Sequence, residues 1–124
     1  MSLFESGEMY LETIHVLAQE RGNVRSIDIA EYMNFSKPSV SRAIHNLIDN
    51  GYITVDEKGY IHLTEKGQKV ADGVYEKHLV LSEYLTLLGV SHDNAVADAC
   101  KIEHYISEES FEAVKRQLAI LKNK

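Results

Sequence analysis

Along most of this chain apolar residues recur every three or four positions, but over residues 52–63 they do not. There, Tyr52-Ile-Thr-Val55 and Tyr60-Ile-His-Leu63 are β-branched and aromatic runs flanking Asp56-Glu-Lys-Gly59. That pattern predicts a hairpin, with Gly59 able to take positive φ. Helical periodicity holds on both sides of it, so the chain must fold as helices around one small antiparallel sheet. Upstream, Tyr10, Ile14 and Leu17 form one stripe, which predicts a helix over about residues 5–20, ended by Gly22-Asn23. Ser26 is placed to N-cap a short helix from Ile27 to Met33, with Ile29 and Ala30 inward. Ser36 is placed to cap a third, with Pro38 tolerated in its first turn and Val40, Ile44, Leu47 and Ile48 as its apolar side. This helix runs to about Asn50, where Gly51 closes it.

Downstream, Thr64 caps a long helix in which Val70, Val74, Leu81, Leu85 and Leu88 recur at helical spacing up to Gly89. Ser91 caps a further helix, and Ser107 a last one with Phe111, Val114, Leu118 and Leu121 apolar. The expected architecture is mainly α, with residues 1–70 a winged helix-turn-helix and residues 71–124 helical. The long helix joins the two halves.

A helix, a short helix, a turn, a second helix and a hairpin follow one another in the order of a winged helix-turn-helix. The second helix of the pair enters the major groove in such folds, and its first residues face phosphates and base edges. Here those are Ser36, Lys37, Pro38, Ser39, Ser41 and Arg42. Serine hydroxyls and free amides at a helix N-terminus suit phosphate, Arg42 can read guanine bidentately, and Pro38 can touch a thymine methyl. Arg25 and Lys58 are the further cations of this half expected at DNA. Asp56 and Glu57 would meet phosphates unfavourably, so the wing is expected to add little affinity. His45 and His62 read as surface or packing residues. A winged helix used only for protein contacts is the alternative.

Charge does not by itself favour nucleic acid. The formal net charge is −6, whereas phosphate contacts by Lys and Arg dominate DNA affinity. Residues 24–69 are neutral, with Arg25, Lys37, Arg42, Lys58, Lys66 and Lys69 against Asp28, Glu31, Asp49, Asp56, Glu57 and Glu65. A few cations must therefore be well placed, and something must offset the acidic remainder. No apolar run approaches the roughly 20 residues of a membrane span, and the N-terminus lacks the pattern of a secretory signal. With one cysteine, Cys100, an intrachain disulfide is impossible and a reducing cytoplasm is the expected compartment.

Cys100, Glu103 and His104 stand at i, i+3 and i+4. If the run Asp93–Ile106 is helical, a thiolate, a carboxylate and an imidazole share one face. Such a set suits Fe(II), Co(II), Ni(II) or Zn(II) better than Mg(II) or Ca(II). The plainer reading is a small buried cysteine beside two exposed polar residues. Met9 could likewise fill a core gap, Glu12 be solvated, and His78 be a core histidine on the Val74–Leu81–Leu85 stripe.

The chain resembles the diphtheria-toxin-repressor and manganese-transport-regulator family of metal-activated bacterial repressors. The resemblance spans nearly the whole sequence. It rests on Glu8-Met-Tyr-Leu-Glu-Thr-Ile14, Ile27-Asp-Ile-Ala-Glu31, Ser36-Lys-Pro-Ser-Val-Ser41, Leu63-Thr-Glu-Lys-Gly67, Lys77-His78, Leu87-Leu-Gly-Val90 and Cys100-Lys-Ile-Glu-His104. It implies a metal site drawn from Met9, Glu12, His78, Cys100, Glu103 and His104. Met9 and Cys100 match the iron branch, whereas Glu12 shares the acid of the manganese branch. Ser82 and Val96 fall where the iron branch places a Glu and a His of an ancillary site, and Glu83 points about 100° away from Ser82's direction on a helix. A full ancillary site of that type is therefore not expected. A short form without the SH3-like domain of the longer iron regulators is implied.

These readings combine into a cytoplasmic, metal-activated repressor, not an enzyme, that binds a palindromic double-stranded DNA operator as a homodimer. The expected dimer face is the row Ala95, Ala99, Ile102 and Ile106, whose small residues allow close packing. No membrane and no small-molecule substrate are expected as partners. The two sulfurs favour Fe(II), with Mn(II) the alternative. Ligands must be deprotonated, so metal affinity is expected to fall with pH. Two rivals are a metal-independent winged-helix interaction module and a zinc hydrolase using His78, Cys100 and His104 with Glu103 as base. The latter lacks a His-Glu-x-x-His motif and an evident substrate loop.

Overall fold

The computed structural model describes residues 5–123, in the order α1 (Glu5–Arg21), α2 (Ser26–Met33), α3 (Lys37–Asp49), β1 (Ile53–Val55), β2 (Ile61–Leu63), α4 (Glu65–Leu87), α5 (His92–Ile102) and α6 (Glu108–Lys122). The chain divides into two compact units, and the boundary falls inside α4 between Asp72 and Gly73.

The first unit is a winged helix built on one apolar core. Tyr10, Leu11, Ile14 and Leu17 of α1 are buried with Ile29 of α2, Val40, Ile44 and Leu47 of α3, Ile53 and Ile61 of the wing, and Ala71 of α4. At roughly 25 cal/mol per Å² of apolar surface, each fully buried Leu or Ile contributes about 1.5–3 kcal/mol. The turn between α2 and α3 depends on Asn34, which adopts the left-handed conformation (φ 58°, ψ 45°). Asn tolerates that region better than other residues with a β-carbon. α3 closes in a Schellman motif: Gly51 N–H donates to Ile48 O at 3.0 Å and Tyr52 N–H to Leu47 O at 3.0 Å. The motif requires the positive φ of 79° that Gly51 supplies. The strands pair antiparallel in the register Ile53↔Leu63, Thr54↔His62, Val55↔Ile61. Ile61 N–H also donates to Val24 O at 2.7 Å, so the segment before α2 docks on β2.

In the second unit the buried apolar residues are Val74 and Leu81 of α4, Ala95 and Ala99 of α5, and Phe111 and Leu118 of α6. Lys115 reaches Glu76 at 3.0 Å and Lys122 reaches Glu83 at 3.2 Å. Both pairs keep the same sequence offset, so α6 runs parallel to α4. Lys77 adds a pair to Glu108 at 2.9 Å and lies over the Phe111 ring. Exposed pairs of this kind contribute at most about 1 kcal/mol each, and they set alignment more than stability.

Three local expectations are corrected. The cap of α2 is Arg25, not Ser26, because the Asp28 carboxylate accepts the Arg25 backbone N–H at 2.9 Å and draws the helix start one residue back. Ile48 and Leu88, counted as inward, are 38% and 59% exposed. Ala95 and Ala99 are fully buried within this single chain. They therefore cannot form a dimer surface without unpacking, and of the expected row only Ile102 and part of Ile106 are accessible.

Candidate metal centre and nucleic-acid interface

α5 ends at Ile102, within the triplet. Glu103 is the C-cap, still right-handed (φ −57°, ψ −26°), and His104 and Tyr105 follow in a turn. The three side chains differ in burial. Cys100 is exposed on the last turn and in no disulfide, whereas the Glu103 side chain is 1% exposed and that of His104 4%. The reading of Cys100 as a small buried cysteine is thereby overturned.

Glu103 is the centre of the cluster. Its Oε2 lies 3.0 Å from His78 Nδ1, and its Oε1 lies 3.4 Å from His104 Nε2. Cys100 Sγ stands 3.7 Å from the same His78 nitrogen. The ligand atoms of His78, Cys100 and Glu103 all lie within 4.8 Å of one another. Two donors sharing an ion through bonds of about 2.0–2.3 Å are separated by roughly 3–3.6 Å, so these residues fit a divalent metal. The chemistry fits as well: a buried carboxylate is costly without compensating charge, and imidazole and thiolate are borderline and soft donors. His78 of α4 therefore joins the triplet by tertiary packing. Met9 and Glu12 stand one turn apart on α1, both partly buried, in the first unit. Glu83 is engaged by Lys122, and Ser82 and Val96 are partly buried.

In the first unit, Ser36 caps α3 by accepting the Ser39 N–H at 3.3 Å. Lys37, Pro38, Ser41 and Arg42 are exposed and Ser39 is partly buried. A shallow cleft of about 360 Å³ between the starts of α2 and α3 is lined by Ser26, Ile27, Lys37, Val40 and Ser41. Arg25 lies over the Tyr60 ring at 4.7 Å, which ties this cation to the base of the wing. Lys66 is committed elsewhere, over Tyr52 at 4.3 Å with Nζ donating to Asn50 O at 2.9 Å. His45 and His62 are exposed.

Sequence reasoning missed the role of Asp56. Its Oδ1 accepts the Lys58 and Tyr60 backbone N–H groups at 2.9 and 3.0 Å, and its Oδ2 lies 2.9 Å from His62 Nε2. The carboxylate organises the wing turn and exposed Lys58, and is engaged within the wing. A signal was present: Asp two to four residues ahead of Gly commonly makes such turns. The His62 hydrogen bond, and then those from Tyr60 and Lys58, hold the Asp56 carboxyl below its ordinary 3.8. A depressed folded value means a contribution present above the unfolded value and lost as pH falls through the folded one. The protection of the Lys58 and Tyr60 amides, measured against intrinsic exchange at each pH, should therefore fall only below about pH 4. Asp56→Asn should exchange faster than wild type at neutral pH. Protection of these two amides unaffected by acid in the wild type would count against this role.

A winged helix joined to a helical unit with nitrogen and sulfur donors around a buried carboxylate defines a class of DNA-binding regulator with a metal-binding domain. Residues 2–66 match the iron dependent repressor N-terminal DNA binding domain, and residues 64–123 match the iron dependent repressor metal binding and dimerisation domain. The chain belongs to the iron-dependent repressor family, the diphtheria-toxin-repressor and manganese-transport-regulator group that its motifs resemble. It is 34% identical over 102 residues to the HTH-type transcriptional regulator MntR of Geobacillus kaustophilus, covering 82% of this chain and 72% of that protein. Among solved structures it is similar to the manganese regulator SloR, with 28% identity and a TM-score of 0.79 over 96% of this chain and 55% of that one. It is also similar to IdeR of T. acidophilum, with 27% identity and a TM-score of 0.78 over 96% and 55% of the two chains. The chain thus spans about half the length of these solved structures. Among the described residues, no helix is long and apolar enough to cross a membrane.

Proposed function

We propose that this chain is a metal-activated transcriptional repressor that binds a palindromic operator as a homodimer, with Fe(II) as its effector. The observation that carries this reading is Glu103, a 1% exposed carboxylate with an imidazole at each oxygen and Cys100 beside it, in a chain that begins with a winged helix. A bound divalent cation would supply the positive charge that a buried carboxylate needs and a common centre for His78, Cys100 and Glu103. His104, Met9 and Glu12 are the remaining ligands in this proposal, and Met9 and Glu12 belong to the helix that packs in the core with α3. Ligands contributed by α1 would give metal and operator a positive coupling, which by linkage is reciprocal.

The Cys100 and Met9 sulfurs favour Fe(II). Manganese is a second reading, supported by the manganese regulator SloR among the similar structures and by the two carboxylates, since Mn(II) prefers oxygen. A dimer is supported by apolar side chains left outward in the second unit. Leu79, Leu87 and Leu88 are 50%, 52% and 59% exposed, and Ile102 is 36% exposed.

The test is an anaerobic selection of bound duplexes from a random pool, followed by titration of the selected duplex with Fe(II), Mn(II), Co(II) and Zn(II). Fe(II) should activate binding at lower free concentration than Mn(II), and Cys100→Ala should weaken the Fe(II) response more than the Mn(II) response. Activation by Mn(II) at far lower free concentration would replace the metal and keep the repressor. Metal-free protein that binds as tightly as every loaded form would end the proposal.

A further inference from the structure

Arg42 is the side chain on α3 best suited to read a base, because its guanidinium offers five N–H donors in a fixed fork. A long exposed arginine is conformationally free unless something holds it. At the start of α3, something does. Ser36 Oγ donates to Ser39 Oγ at 2.8 Å, and Arg42 Nη2 donates to the same Ser39 oxygen at 3.4 Å. Ser36, Ser39 and Arg42 stand three residues apart in turn, so they line one side of the first two turns. Ser39 is partly buried while Lys37, Pro38, Ser41 and Arg42 are exposed.

A hydroxyl oxygen has two lone pairs and one proton. Both lone pairs of Ser39 are taken, one by Ser36 and one by Arg42. Ser39 therefore cannot accept a further hydrogen bond and keeps only its own proton to donate, and its oxygen faces the arginine. Arg42 is exposed, and this contact uses one of the five N–H donors of its guanidinium.

We infer that Ser39 is a positioning residue that holds the Arg42 guanidinium for base readout, so that sequence discrimination at the base Arg42 reads depends on Ser39. This rests on the reading of the first unit as the operator-binding module. It assigns Ser39 a task different from the phosphate contact that its place at a helix N-terminus suggests.

Ser39→Ala removes the oxygen but not the cap, because Ser36 Oγ still accepts the backbone N–H of residue 39. Ser39→Thr keeps the oxygen. Arg42→Ala on the selected duplex first identifies the base pair whose substitution no longer matters. At that pair, Ser39→Ala should reduce the ratio of cognate to substituted affinity by about five-fold, with affinity for unrelated duplex unchanged. Ser39→Thr should restore most of the ratio, and Ser39→Ala should have no further effect on it in an Arg42→Ala background. If Ser39→Ala weakens cognate and substituted duplexes equally, or does so equally without Arg42, Ser39 contacts DNA itself and the inference is wrong. An unchanged ratio also overturns it. A second measurement needs no DNA: the order parameter of the Arg42 Nε–Hε group in the free metal-loaded protein should fall in Ser39→Ala and recover in Ser39→Thr. If wild type selects no duplex with any metal, the operator reading fails, and this measurement still decides whether Ser39 holds Arg42.

Discussion

Glu103→Gln is expected to lower metal affinity by about 100-fold or more and to remove most of the thermal stabilisation that added metal gives the wild type. Glutamine keeps the shape of the side chain and loses the charge. In the wild type both carboxylate oxygens are engaged, at 3.0 Å from His78 and 3.4 Å from His104. A neutral amide can occupy that space, but it offers a metal a weaker oxygen and no compensating charge. Binding to the native state alone stabilises by RT ln(1 + [L]/Kd), about 2.7 kcal/mol at one hundred times Kd. With affinity lowered 100-fold, the same metal concentration would give only about 0.4 kcal/mol. Calorimetric melts with and without Co(II) under anaerobic conditions read this difference directly and require no DNA. A variant that kept the full metal-dependent shift in Tm would remove Glu103 from the ligand set. Replacement of Cys100 should have a smaller effect, because the thiol is exposed and leaves no buried charge unmatched when it is lost.

Gly67→Ala is expected to destabilise the first unit by about 3 kcal/mol or more, through a backbone clash. A β-carbon at Gly67 would overlap the Tyr52 carbonyl oxygen and lie 3.0 Å from its carbon and 3.4 Å from Leu63 Cδ2. The carbonyl cannot easily move away. Tyr52 O accepts the Thr64 N–H at 3.0 Å, Thr64 Oγ1 accepts the Gly67 N–H at 3.1 Å, and the same hydroxyl donates to Gly51 O at 2.7 Å. These bonds join the end of α3, the base of the wing and the start of α4. Gly73→Ala is the control. It lies in the same helix, with nothing within 4 Å of the added carbon, and should stabilise by about 0.5–1 kcal/mol through helix propensity. Thermal melts of the two variants should move in opposite directions. A Gly67→Ala protein with wild-type Tm would show that the α3–wing–α4 junction is not constrained as described.

The two glycines show where sequence reading stops. Both occur in a helical pattern, and nothing local tells them apart. Only the approach of the Tyr52 carbonyl, brought in by the hairpin, makes one indispensable. The wing tip shows a similar limit. Read by charge alone, Asp56 opposed DNA. Its oxygens are in fact taken up by two backbone amides and His62, an arrangement that depends on the turn's three-dimensional path. The row Ala95, Ala99, Ile102 and Ile106 was legible as a packed face because small apolar residues recurred at helical spacing. Whether that face meets this chain or another could not be read from spacing, and the structure turns its two alanines inward.

The sequence by itself determined the elements and the donors. Capping serines, the early proline, closing glycines and the change from helical to two-residue periodicity act over a few residues, so the order of helices and hairpin follows from local chemistry. The identities of the sulfur, nitrogen and oxygen donors are likewise written in the chain. What only the tertiary structure decided is which donors meet and how deeply each is buried. Helix α5 stops at Ile102, so Glu103 turns inward between His78 and His104 while Cys100 remains at the surface. Separation through space between residues 25 positions apart, such as His78 and Glu103, is set by packing of whole helices. No spacing rule within one helix reaches that far.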